Sequence, residues 1–227
     1  MKNILPTEVL RCKKLAIIAP HNDDEVLGCF HLLKKLPSNT NKKVVLVTCH
    51  KNDLNLTNIR RLETLKALEG IENLDFVYWN FSDGNVKSEF TDLKIHFREL
   101  ATESDLIICP AINDLTEDHI PISLAAFNEV PSNRLIWYRS TWFTFKMREA
   151  DFIVTGNLKE KFCAIKKFKS QKHIKLKRAL WLSVFECFLM SFRLKSAEAF
   201  LFANEARLAP LPLNSISLRH LYRLFYW

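Results

Sequence analysis

Glycine is scarce in this chain, with four residues in 227, and neither G-x-G-x-x-G nor G-x-x-x-x-G-K-[ST] occurs. Dinucleotide and P-loop sites use such glycines to bring backbone close to phosphate, so their lack argues against both. The six cysteines, at 12, 29, 49, 109, 163 and 187, contain no C-x-x-C pair. Several end apolar runs, as in Val44–Cys49 and Leu106–Cys109. They read as small hydrophobes in a reducing compartment, not as a disulfide frame or a cysteine zinc site. Met1–Pro6 carries no signal-peptide core, and a cytoplasmic location is expected.

Hydrophobic residues at 48% are ample for a core, and the length suits one domain. Apolar runs at Leu15–Ile18, Val44–Cys49, Leu74–Trp79 and Leu106–Cys109 read as strands, with Leu135–Tyr138 and Phe152–Val154 as further candidates. Between them lie helical patterns at Val26–Leu36, Thr57–Gly70, Glu89–Thr102 and Ile120–Glu129, and another around Lys159–Ser170. A loop is expected over His50–Leu56 and a turn over Asn80–Gly84. Strands alternating with helices imply parallel pairing, hence an α/β fold with a mostly parallel, Rossmann-like sheet flanked by helices. A single domain is expected over 1–227, with a core over about 14–207 and a helical extension over about 208–227.

The net charge of +8 has an address. Residues 159–178 hold eight lysines, one arginine and one acid, which equals the excess of the whole chain. Such a run is either a solvated helix face or a surface that meets phosphates. Residues 179–192 follow with eleven apolar residues in fourteen, too short to span a bilayer at about 20 residues. A buried helix, a dimer face and an interfacial helix on an anionic membrane all fit that pattern. No nucleic-acid partner is expected.

The chemistry gathers in Pro20-His21-Asn22-Asp23-Asp24-Glu25, directly after the first strand. Open α/β sheets place their sites at the carboxyl ends of strands. A helix cap needs one short polar residue. Three consecutive acids beside a histidine repel one another unless a cation sits among them. His21 and Asp24 are spaced to reach one cation from a turn, and His119 is the strongest candidate for a third ligand. It follows the fourth strand, beside Asp114 and Asp118. The other histidines, 31, 50, 96, 173 and 220, lack such company.

Residues 20–25 resemble the PHPDDE signature of the PIG-L/LmbE-like zinc-dependent N-acetylglucosaminyl deacetylases. Further matches run in that family's order. Arg60 and Glu63 resemble its R-x-x-E helix, and Asp83-Gly84 its Asp-Gly turn. Asp114 through His119 resembles its D-x-H-x-D-H motif. Lys161 with Ser170-Gln171 resembles the K…SQ helix, and Glu198-Ala199-Phe200 the E-x-F element. The resemblance implies Zn2+ on His21, Asp24 and His119, Asp23 as general base, and Asp118 as a second catalytic carboxylate. It also implies substrate contacts at Arg60, Asp83 and Thr116, and an N-acetylated amino-sugar substrate. Two positions depart from the pattern. Asn22 replaces a proline, which removes no ligand. Thr116 replaces a histidine expected to assist the leaving amine, and threonine cannot serve as a proton donor near neutral pH. A metal-binding but weakly active relative that binds glycans is therefore the alternative to an active deacetylase. The basic window suggests a substrate with an anionic part, such as a nucleotide- or lipid-linked precursor of a surface polysaccharide.

Overall fold

In the computed structural model of the chain, residues 5–139, 144–171, 184, 185, 188, 195–203 and 208 are described. The apolar segment 179–192 and the aromatic tail therefore lie almost wholly outside the described residues.

The first strand, β1 (Lys14–Ala19), is flanked by two parallel partners, β2 (Asn41–Cys49) and β4 (Leu106–Pro110). Outside them lie β3 (Leu74–Ser82) and β5 (Leu135–Tyr138), also parallel. The sheet is completed by β6 (Phe152–Gly156) and β7 (Ser196–Phe202), giving the order β3-β2-β1-β4-β5-β7-β6. Strand β7 runs antiparallel to both neighbours, so the sheet is mostly parallel, as expected.

Side chains alternate along β1 and feed two cores. Ala16 and Ile18 face a cluster with Leu93 and Phe97 of α4 (Phe90–Glu103) and with Ile122 of α5 (His119–Glu129). Leu15 and Ile17 face a second cluster on the opposite side. It holds Val26, Leu32 and Leu33 of α2 (Asp24–Lys35), Ala67 of α3 (Leu54–Ala67) and Ile165 of α6 (Leu158–Ile165). A short α1 (Thr7–Arg11) adds Val9 to the same side. The chain runs outward through α2 and α3 on one face, then returns through α4 and α5 on the other. The reversal falls between β1 and β4, which opens a crevice at their carboxyl ends.

Two contacts set α2 close against the sheet. A methyl group on Gly28 would lie 2.3 Å from the buried Tyr138 ring, so only glycine permits that approach. Tyr138 in turn donates its hydroxyl to the Ile18 carbonyl at 3.0 Å.

Some elements differ from the sequence expectation. Helix α3 starts at Leu54, within the expected loop, because the Asp53 side chain accepts the Leu56 N–H at 2.8 Å and caps it. Strand β3 continues past Trp79 to Ser82. Asn80 adopts φ 63°, and the register with β2 shifts between Leu46 and Thr48, so an irregularity carries the strand onward. Strand β7 had no counterpart in the sequence reading.

Candidate metal centre and active site

The turn after β1 is anchored before it is functional. The Pro20 carbonyl accepts from Thr48 N–H at 3.1 Å and from Thr48 Oγ1 at 2.7 Å, which ties the turn to β2. The chain then folds back so that the His21 N–H donates to Asp24 Oδ2 at 3.0 Å. Asp23 occupies the position before α2, yet its side chain makes no cap hydrogen bond. The simple capping role is therefore absent. Its backbone sits at φ 131°, where residues other than glycine are strained. Its carboxyl is buried, and Oδ2 has no hydrogen-bond partner.

His119, at the first turn of α5, comes from the β4 side of the crevice. Its Nε2 lies 3.1 Å from Asp24 Oδ2 and 3.4 Å from His21 Nδ1. His21 Nδ1 is 3.4 Å from the same Asp24 oxygen. Metal–donor bonds of about 2.0–2.1 Å separate tetrahedral donors by about 3.3 Å. The three atoms thus form one face of a tetrahedron of the right size, with the fourth corner left for another ligand.

The far nitrogens of both rings are held. His119 Nδ1 meets Asp114 Oδ2 at 2.9 Å, and His21 Nε2 meets Asp118 Oδ2 at 3.1 Å. A proton on each far nitrogen leaves the near nitrogen as a lone-pair donor aimed at the cation position. Asp118 is itself fixed by the Gly84 N–H at 2.7 Å. The residues present therefore fit one divalent cation on His21, Asp24 and His119.

Electrostatics agree. Burial opposes charge on His119, but Asp24 and Asp114 outweigh it and push the ring up to about 10. His21 is also raised, against its burial, by Asp118 and Asp24. Asp24 stays below the usual carboxylate range despite burial, because both rings face it. Burial, then the charges of Asp24 and Glu25, drive Asp23 well above that range. A cation entering this cluster displaces protons from the rings.

Arg60 and Asp83 also reach the site. Arg60 Nη1 donates to Asp83 Oδ2 at 3.3 Å, and Asp83 Oδ1 lies 3.8 Å from His21 Nε2. Thr116 contributes through its backbone: its N–H donates to Asp114 Oδ1 at 2.9 Å, and its carbonyl accepts the His119 N–H at 3.0 Å.

The remaining motif residues lie behind the site and brace it. Glu63 accepts from the Ser170 N–H at 2.9 Å and from its hydroxyl at 2.6 Å. Gln171 Nε2 donates to the Asn22 carbonyl, while Asn22 Nδ2 donates to Thr64 Oγ1 at 3.0 Å. Lys161 and Glu198 form a buried ion pair at 2.6 Å. His31 is buried in the core and His96 stacks on Trp79 at 5.2 Å. His50 corrects the expectation that it lacks acidic company: its Nε2 lies 3.2 Å from Asp83 Oδ2, at the edge of the site.

The family model of the PIG-L GlcNAc-PI de-N-acetylases matches residues 16–129. No curated protein matches the chain with significance. Among solved structures, the N,N'-diacetylchitobiose deacetylase of Pyrococcus horikoshii superposes with a TM-score of 0.68 at 18% identity, covering 88% of each chain. A zinc-inhibited form of teicoplanin deacetylase gives 0.58 at 15% identity, over 82% of this chain and 97% of that one. The 4-carboxy-2-hydroxymuconate hydratase of Pseudomonas putida KT2440 gives 0.57 at 13%, over 88% and 100%. At these identities the likeness is one of fold, and the fold carries more than one chemistry.

Proposed function

The chain belongs to the PIG-L family, and from that premise we propose that it is a zinc-dependent hydrolase removing an N-acetyl group from an amino-sugar conjugate. The observation that carries the reading is the tetrahedral face formed by His21 Nδ1, Asp24 Oδ2 and His119 Nε2, together with the buried Asp23 carboxyl, which feels the charges of all three residues and whose Oδ2 has no hydrogen-bond partner. Zinc held there would polarise the amide carbonyl and acidify water.

The protein's own residues supply the rest. Asp23 takes a proton from the attacking water and passes it to the departing nitrogen, so that amide and water become amine and acetate. Asp114 and Asp118 hold the two imidazoles in their ligating tautomers. Asp118 acts in this way on His21 and touches the reaction through it. Arg60 and Asp83 contact the sugar, and the Thr116 hydroxyl donates a hydrogen bond to it. Lys159, Lys166, Lys167 and Lys169 are exposed on α6 and the turn after it, and they meet the anionic part of a nucleotide- or lipid-linked conjugate. Lys161 is excluded from that surface by its buried pairing with Glu198. No helix among the described residues is long and apolar enough to cross a membrane. We place the enzyme in the cytoplasm, where peripheral contact with an anionic membrane would serve a lipid-linked substrate.

The test is amine release by metal-replete protein across a panel of N-acetylhexosamine conjugates, neutral, nucleotide-linked and lipid-linked. At least one conjugate is expected to yield equal amounts of free amine and acetate. Metal-replete protein that releases amine from none of them would reject the reading and favour a glycan-binding role.

A further inference from the structure

The end of β2 delivers His50, whose position is unusually well held. Its N–H donates to Thr57 Oγ1 at 2.9 Å, and the same hydroxyl donates to its carbonyl at 3.1 Å. That carbonyl also accepts the Asp53 N–H at 2.9 Å. The backbone on both sides of the side chain is thus pinned to the start of α3.

The imidazole points to Asp83. His50 Nε2 lies 3.2 Å from Asp83 Oδ2, the oxygen that Arg60 Nη1 reaches at 3.3 Å. The other oxygen, Oδ1, is turned towards His21 Nε2 at 3.8 Å, beyond hydrogen-bonding range. His50 Nε2 is cut off from solvent, and its approach to Asp83 lies off the line of a good hydrogen bond. Contacts of this kind tighten when a substrate closes the site.

We propose that His50 is a substrate-positioning residue. With Arg60 it occupies one oxygen of Asp83 and so presents the other, as an acceptor, to a hydroxyl of the sugar whose amide lies at His21, Asp24 and His119. The proposal deepens the deacetylase reading and rests on it for the nature of the ligand. It also sets the charge of the ring at this point. Asp83 and Asp118 each offer an oxygen within 4.8 Å of one another and of a His21 ring nitrogen. A carboxylate or phosphate on that ring would face both, whereas a neutral hydroxyl donates to them. The anionic part of a conjugate therefore belongs further out, away from the ring that carries the amide.

Wild type, His50→Ala and His50→Gln, each loaded with zinc, are compared in two assays. One titrates N-acetylglucosamine as a binding probe, and the other measures kcat and KM on a conjugate that the wild type hydrolyses. His50→Ala is expected to weaken probe binding and raise KM by about fivefold, the worth of about one hydrogen bond, while kcat stays within about twofold. Glutamine can place an N–H near the Nε2 position, so His50→Gln is expected to restore both values to within about twofold of wild type. Probe binding that is absent in the wild type, or unchanged in His50→Ala, would overturn the proposal. So would a loss confined to kcat that glutamine does not restore, which would make His50, rather than Asp23, the donor of the proton to the departing amine. Probe binding that depends on His50 without turnover of any conjugate would uphold this role and sink the hydrolase reading instead.

Discussion

Asp23→Asn is expected to keep the metal and lose turnover by about 10²–10⁴-fold, the usual contribution of a general base. The substitution is nearly isosteric and removes none of the three donor atoms. What it removes is the buried carboxyl whose Oδ2 has no hydrogen-bond partner and whose backbone is held at φ 131°. A strained backbone and a buried carboxyl oxygen without a hydrogen-bond partner both cost stability, and neither is repaid by a helix cap. The proposed proton transfer would account for both. Burial, and then the charges of Asp24 and Glu25, raise the proton affinity of Asp23 above that of an ordinary carboxylate. The base works only when ionised, so wild-type activity should fall as pH drops through its pKa. Turnover and metal content measured on the same Asp23→Asn preparation check the claim. Rates near wild type with metal bound would remove Asp23 from the mechanism.

The second large effect is on stability. Glu198→Ala is expected to lower the unfolding free energy by about 3–5 kcal/mol, because it leaves a buried lysine without its counter-charge. Glu198 is buried on β7, and its Oε1 lies 2.6 Å from Lys161 Nζ. Its two oxygens also accept the His31 and Leu32 N–H groups of α2 at 2.8 and 3.0 Å, while Lys161 donates to the Leu27 carbonyl at 2.7 Å. The pair thus ties β7 and α6 to the middle of the helix whose first turn carries Asp24. Urea unfolding of Glu198→Ala, Lys161→Met and the double variant Lys161→Met/Glu198→Leu measures it. The double variant should lose less than the two single variants together, since no charge is then left buried. A single-variant loss below about 1 kcal/mol would show that the pair is not what holds α2.

The parts of this protein that were legible in its sequence are those where local pattern and burial agree. Strands β1, β2 and β4 are buried on both faces and read as unbroken apolar runs. The candidate ligands His21, Asp24 and His119 stand out because each follows such a run. Strand β7 does not, because Glu198 interrupts its apolar pattern. The partner that makes that glutamate a buried residue is 37 positions away. His50 was missed for a similar reason. Its companion Asp83 reaches the site because β3 runs on through Asn80 to Ser82, an extension that the turn signal of Asn80, Ser82, Asp83 and Gly84 concealed. The motif residues Glu63, Lys161, Ser170, Gln171 and Glu198 were legible as a series, but their bracing role depends on contacts that no spacing reveals.

The proposed chemistry rests on one cation that His21, Asp24 and His119 would share. Elemental analysis of wild type and His119→Ala, purified without chelators and equilibrated with zinc, tests that directly. The expected result is about one zinc per chain in the wild type, a tetrahedral site with three protein donors, and loss of that zinc in His119→Ala with the fold retained. A wild-type protein that takes up no zinc, or a His119→Ala protein that holds it as tightly as wild type, would contradict the account.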